Sequence, residues 1–253
     1  MNRELSSIRP DANMGEYFHK LSKDISWGGR VNIPEDTNKW PKSWVEIEYK
    51  SYQNAHKVKL LNNSEAKVEG EYSKVVYKRK SGDFLESRAT QKITLSQLSQ
   101  IINHSISLGE NNKRRVYPSG GARYPLEFYF LVQNSPDLET GVYHYNVVEH
   151  SLEFIKKIEQ SELPKFSGYE MAQRAAVTVF MTGVVNRTTR KYGERGYRYI
   201  YLEAGHVGQN IYLAATAIGI DVRALAGIRD LIVEDLLGVD GNYESLIHTV
   251  IIG

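Results

Sequence analysis

The chain has 253 residues, with 32 Lys+Arg against 30 Asp+Glu, 41% hydrophobic residues and no cysteine. A net charge of +2 leaves no electrostatic footprint for nucleic acid or an anionic membrane, and the missing cysteines exclude disulfides, thiolate metal sites and cysteine nucleophiles. The opening MNRELSSIRPD has no apolar run, and Ile211–Ile220, the most apolar stretch, is about half the length of a membrane span, so a cytoplasmic protein is expected.

In chain order, residues 1–70 read as an N-terminal extension wrapped on a larger body. The extension is polar, punctuated by Pro10, Pro34 and Pro41, and it carries Trp27, Trp40 and Trp44 as candidate anchors. Leu61–Gly70 looks like an exposed connector. Residues 71–253 form the main domain. Thr94–Leu108 places Leu95, Leu98, Ile101 and Ile102 on one helical face, with Thr94 as N-cap. Phe128–Gln133 and Ala175–Thr182 read as buried strands. Gly141–Asn146 and Leu152–Ile158 flank a polar turn at Val148–His150 and read as a hairpin. Arg195–Ile218 is the longest helix candidate, with small residues at its middle. Asp221–Ala226 reads as a strand, Leu231–Leu237 as a short helix and His248–Ile252 as a terminal strand. Interleaved helices and strands with a hairpin argue an α+β fold on a mixed, mainly antiparallel sheet flanked by helices.

Three segments could carry chemistry. Lys113–Pro125 (KRRVYPSGGARYP) joins three cations, a hydroxyl and a Gly-Gly pair. The backbone freed by Gly120 and Gly121 can approach a ligand closely while Arg114 and Arg115 neutralise an anion, although a basic surface turn explains the spacing equally well. Lys78–Phe84 (KRKSGDF) could grip a phosphate, or be a solvated basic loop. Asn186–Arg195 (NRTTRKYGER) reads as a loop after a strand. Its Lys191 and Tyr192 are neighbours, and a cation beside a phenol can lower the phenol's pKa or form an acid–base couple; taken alone, the segment reads better as a mobile, merely soluble loop. Glu203 and His206 lie three apart on the long helix but lack a second matching pair, so no metal site is expected. His144, between two tyrosines, reads as a packing or surface residue. The chain has no GxGxxG, Walker loop, GxSxG or HExxH.

Four stretches taken in order carry a resemblance. Tyr117–Pro125 followed by Gly141–Tyr145, then Lys191–Arg195 running into Leu202–His206 and Gln209–Asn210, then Leu236–Gly241 with Glu244 and the final Ile-Gly253, resemble the SagB-type dehydrogenases of the nitroreductase superfamily. The match spans about residues 71 to 253, and WPKSW at Trp40–Trp44 fits it only loosely. The resemblance implies an α+β homodimer with FMN at the interface, held by Arg79, Lys80, Ser81, Arg115, Pro118, Ser119, Gly120, Gly121, Glu203 and Gln209. It implies oxidation of thiazoline or oxazoline rings in a ribosomally made peptide, with Lys191 and Tyr192 as the catalytic pair. It also implies possible assembly in a synthetase complex with cyclodehydratase or dehydratase partners. Related flavoproteins reduce an activated double bond, a nitro group or a quinone with NAD(P)H, and a non-catalytic scaffold is a third possibility. One departure stands out: Gly82-Asp83 occupies the place of a second phosphate-binding arginine after Arg79-Lys80-Ser81, which implies either a weaker phosphate grip or substitution by Arg88 or Arg115.

Overall fold

Two apolar runs, Leu126–Val132 and Val177–Val184, become the centre of a seven-stranded sheet in the computed structural model. The structure describes residues 37–62, 65, 72–84, 92–110, 113–166, 170–193, 195–225 and 228–253. Its strands are β1 (His56–Lys59), β2 (Leu126–Val132), β3 (Gly141–Asn146), β4 (Ser151–Lys157), β5 (Val177–Val184), β6 (Val222–Leu225) and β7 (Glu244–Ile252). They lie in the order β1-β4-β3-β2-β5-β7-β6. Every pair is antiparallel, so the mixed sheet expected from the sequence is wholly antiparallel among the described residues.

Eight α-helices accompany the sheet among the described residues: α1 (Lys42–Val45), α2 (Tyr72–Lys78), α3 (Leu95–Ser105), α4 (Leu163–Phe166), α5 (Glu170–Gln173), α6 (Asn186–Tyr192), α7 (Arg195–Ala217) and α8 (Asp230–Leu237). β2 and β5 are buried along their whole length because helices cover both sheet faces. One face packs Phe128, Phe130, Val179 and Met181 on α3 and α7; the other packs Tyr129, Leu131 and Phe180 on α4 and α8. The α3 start is a capping box: Thr94 accepts from the Gln97 amide at 3.2 Å, and Gln97 Oε1 accepts from the Thr94 amide at 2.9 Å. Among the described residues no helix is long and apolar enough to cross a membrane.

Two features differ from the sequence reading. The segment expected to be a loop at Asn186–Arg195 contains α6, entered directly from β5 and ended at Gly193. The small residues of α7 mostly serve the subunit's own core: Ala204, Gly208, Ala214 and Ala215 are buried, and only Gly205 faces open space. In the extension, Trp27 and residues 1–36 lie outside the described residues, while His56–Lys59 form the edge strand β1 of the main sheet.

His144 is neither a surface residue nor an apolar packing residue. It is fully buried on β3, with Nδ1 3.0 Å from Glu153 Oε2 and Nε2 2.9 Å from Glu127 Oε2. A ring facing carboxylates at both nitrogens donates twice only as an imidazolium. Burial opposes that charge, but the two carboxylates outweigh it and raise the His144 pKa. Burial would likewise raise the Glu127 carboxyl, yet Arg187 and His144 pull it down to about 2. Glu153 is also held at about 2, against its own burial, by His144, Asn146, the Tyr52 amide and Ser51. The Arg187–Glu127 ion pair therefore continues as a charged chain, Arg187–Glu127–His144–Glu153, through the sheet.

Removing one member of such a chain leaves an uncompensated buried charge. His144→Ala is expected to lower unfolding stability by about 3–5 kcal/mol in urea titrations at neutral pH. Because Glu127 and Glu153 have depressed pKa values, their contribution is present above the ordinary carboxylate pKa of 4.5 and is lost as pH falls through about 2. Acid titration of the wild type should show that loss, and a His144→Ala curve parallel to wild type over that range would contradict it.

Candidate active site around Lys191 and the Gly120–Gly121 turn

The chain leaving β5 turns into α6, and Arg187 on its first turn is pinned in place. Its guanidinium pairs with Glu127 on β2 and donates to the Tyr124 carbonyl at 3.3 Å. One helical turn later on the same face stands Lys191. The turn Ser119–Arg123 arrives from the opposite side, and Arg123 Nε donates to the Arg187 carbonyl at 2.9 Å. Two motifs some seventy residues apart in sequence thereby meet. A Cβ built on Gly121 would lie 2.2 Å from the Tyr192 hydroxyl and 3.3 Å from Lys191 Nζ, and one on Gly120 would lie 3.2 Å from the Tyr199 ring. Only a glycine allows that approach at Gly121, whose φ is +62°. Ala122 and Tyr124 also have positive φ, 54° and 45°, which costs about 1–2 kcal/mol each in an L-residue. Such strain concentrates at functional sites.

The electrostatics of the pair differ from the sequence expectation for Tyr192. Burial, with the neighbouring Tyr199, raises its pKa rather than lowering it. Lys191 is lowered, by burial first and by Arg123 second. Arg190 instead pairs with Glu48 at 2.9 Å. The depressed amine suits a proton acceptor and the phenol stays protonated.

Glu203, on α7, lies 2% exposed behind this turn, and neither carboxylate oxygen closes a hydrogen bond of ordinary geometry. Burial raises its pKa to about 8, while Ser119 and the buried Arg115 hold it back. Ser119 is half-buried and its hydroxyl accepts from the Tyr124 amide at 2.8 Å; Pro118 is exposed beside it. Arg115 points inward, donating to Tyr117 at 2.8 Å and to the Leu126 carbonyl at 3.3 Å, so its charge serves the interior rather than the surface loop. Gln209 is exposed on the other side of α7.

The remaining predicted cofactor residues gather elsewhere. Arg79 lies over the Tyr212 ring at 5.3 Å, the Ser81 hydroxyl is 3.1 Å from Tyr212 Oη, and Lys80 is exposed. Gly82 packs so closely on Asp221 that a Cβ there would come within 2.7 Å of the Asp221 side chain. Arg223, which the sequence reading missed, donates to the Gly82 carbonyl at 3.0 Å. It brings a cation to the place where the motif lacks its second arginine; Arg88 lies outside the described residues. Tyr199 and Tyr212 mark the two clusters, thirteen residues apart on α7, about 20 Å along its axis.

A family model described as "Nitroreductase family" matches residues 89–253. MJ1384 of Methanocaldococcus jannaschii, named as a nitroreductase, is 32% identical over 191 residues, 72% of this chain and 89% of that protein. The trifolitoxin-processing protein TfxB of Rhizobium leguminosarum is 32% identical over 55% of this chain and 39% of its own length. The microcin B17-processing protein McbC of Escherichia coli is 30% identical over 59% and 58%. Among solved structures, the Escherichia coli microcin synthetase McbBCD complex with truncated pro-MccB17 bound aligns with a TM-score of 0.63 at 22% identity, covering 94% of this chain and 91% of that one. A nitroreductase-named protein of Exiguobacterium sibiricum in complex with FMN aligns at 0.52 and 11% identity, covering 74% and 90%. At these identities the two structures establish the fold.

Two expectations follow from the geometry. Because Glu203 has a raised pKa, the folded state alone holds its proton between 4.5 and about 8, and wild-type stability should fall across that interval by an amount on the order of a few kcal/mol. Glu203→Gln should flatten the dependence in thermal melts taken from pH 4 to 9; a variant with the wild-type slope would contradict the assignment. Gly121→Ala should displace the Tyr192 hydroxyl, detectable as a changed tyrosine environment in near-ultraviolet circular dichroism.

Proposed function

This chain belongs to the nitroreductase family, and from that premise we propose that it is an FMN-dependent oxidoreductase of the SagB type, oxidising azoline rings in a ribosomally made peptide to azoles. The observation that carries the reading is the meeting of Lys191 and Tyr192 with the Gly120–Gly121 turn. Relatives named for processing microcin B17 and trifolitoxin support a peptide substrate and a place beside synthetase partners. Bound FMN supplies the hydride acceptor. Aromatising the ring also releases a proton from the neighbouring carbon. Lys191, buried and lowered in pKa, accepts it at Nζ, and Tyr192, kept protonated, orients the ring through its hydroxyl.

The chain's residues fit a flavin mononucleotide. Arg79, Lys80, Ser81 and Arg223 offer cations and a hydroxyl to a terminal phosphate, and the Gly120–Gly121 turn gathers Lys191, Tyr192 and Tyr199 where a ring system would be received. These two clusters stand at opposite ends of α7. A second copy packed antiparallel along that helix would bring the Arg79 cluster of one subunit to the glycine turn of the other, the homodimeric arrangement proposed here. The exposed Tyr201, Leu202 and Gly205 of α7 supply an apolar face for it.

Purified protein should be yellow, release FMN on denaturation, scatter light as a dimer, and lose flavin absorbance anaerobically when given an azoline peptide. Flavin bleached by NAD(P)H alone and regenerated by nitro or quinone compounds would favour the reductase reading, and protein that cannot be reconstituted with FMN would favour the scaffold. Lys191→Ala and Tyr192→Phe should keep their flavin yet bleach about a hundredfold more slowly. The wild-type rate should rise with pH through the lowered Lys191 pKa, since only the neutral amine accepts a proton. Parallel loss of flavin and rate in both variants would overturn the catalytic assignment.

A further inference from the structure

Lys191 is 2% exposed, and among the described residues no carboxylate pairs with it. What covers it is aromatic: Nζ stands 3.2 Å from the centroid of the Trp40 ring. Trp40 in turn meets Trp44 edge-on at 6.2 Å. The segment carrying these rings has little core of its own, since α1 buries no residue and Val45 is 57% exposed. It is held instead by hydrogen bonds. Arg123, from the turn that meets Lys191, donates to the carbonyls of Ser43 at 2.8 Å and Glu46 at 3.2 Å, and also to that of Trp44. At the far end Glu48 pairs with Arg190.

We infer that residues 40–48 form a hydrogen-bonded strap whose Trp40 ring seals Lys191 from water, which makes Trp40 and Arg123 positioning residues for the proton-accepting amine. The inference deepens the proposed function and rests on Lys191 being the base. Two effects of the ring oppose each other. Its face favours the ammonium, worth about one pKa unit, while excluding water disfavours it by as much as several units at a buried site. Exclusion wins. Arg123 from the turn acts in the same direction, while Arg187 and Arg190 on α6 are already paired with Glu127 and Glu48, and the neighbouring Tyr192 phenol stays protonated. Apart from Ile47, which packs against the core, the strap is tied by its carbonyls, so its Trp40 end can part from α6 without unfolding the sheet.

Competitive acetylation of the full-length protein across pH 6–11, read by mass spectrometry at the Lys191 peptide with exposed Lys113 as internal standard, tests this directly. Wild-type Lys191 should react with a low plateau and a midpoint below that of Lys113. Trp40→Ala should raise the plateau about tenfold and move the midpoint up by about one unit or more, and Trp40→Phe, which keeps an aromatic face, should restore most of the wild-type behaviour. Arg123→Lys, which cannot reach the three carbonyls, should reproduce the Trp40→Ala result and serves where that variant does not fold. Unchanged plateau and midpoint in a folded variant overturn the strap. If the midpoint rises while the rate on the azoline peptide and its pH profile stay as in wild type, the strap stands and the assignment of Lys191 as base falls.

Discussion

One carboxylate, Glu127, lies between two buried cations and decides where the working parts of this protein stand. Isolated in the sheet, its charge would be untenable; between Arg187 and His144 it stays ionised. The arrangement binds β2 to β3 through His144 and to α6 through Arg187. Since Arg187 lies one turn before Lys191, the buried charge sets the rotation of α6 and the direction in which the lysine points. Arg123 closes the loop by donating to the Arg187 carbonyl, so the glycine turn is registered against the same helix end.

Around that anchor, the site is assembled from pieces that have little stability alone. The turn carries positive φ at Gly121, Ala122 and Tyr124. The strap buries no residue of α1. Glu203 keeps a buried carboxyl without ordinary hydrogen bonds. Each of these costs free energy, and the rigid sheet covered on both faces absorbs the cost. A buried amine needs such a setting, because a mobile loop would let water restore its ordinary basicity.

The long helix α7 sets the scale of the site. One side belongs to the subunit's own core, where Ala204, Gly208 and Ala215 let it lie close to the sheet and α3. The other presents Tyr201, Leu202 and Gly205 outward. Its ends carry the two clusters proposed to hold one cofactor, separated by more than a compact ligand covers. The proposed homodimer would bridge that separation by bringing the Arg79 cluster of one subunit to the glycine turn of the other.

Periodicity and apolar runs made several elements legible: Thr94 with the apolar face of Leu95, Leu98, Ile101 and Ile102 announced α3, the runs at Phe128 and Ala175 announced the central strands, and Arg195–Ile218 stood out as the longest helix. Sequence motifs, taken in order, also identified the family and singled out Lys191, Tyr192 and the glycine turn, because close backbone approach demands glycine and proton transfer demands a titratable group. Tertiary structure alone decided what depends on contacts between distant residues. Asn186–Tyr192 is polar enough to read as a loop, yet it folds as α6 with Arg187 seated on buried Glu127. His144 looked ordinary between two tyrosines until carboxylates from β2 and β4 closed on both nitrogens. Arg115 and Arg223 carry the same charge in the sequence, yet the first turns into the core and the second reaches Gly82. Local sequence determines which conformations and charges are available; only the packed sheet determines which charges meet, and burial then sets whether each gains or loses its proton.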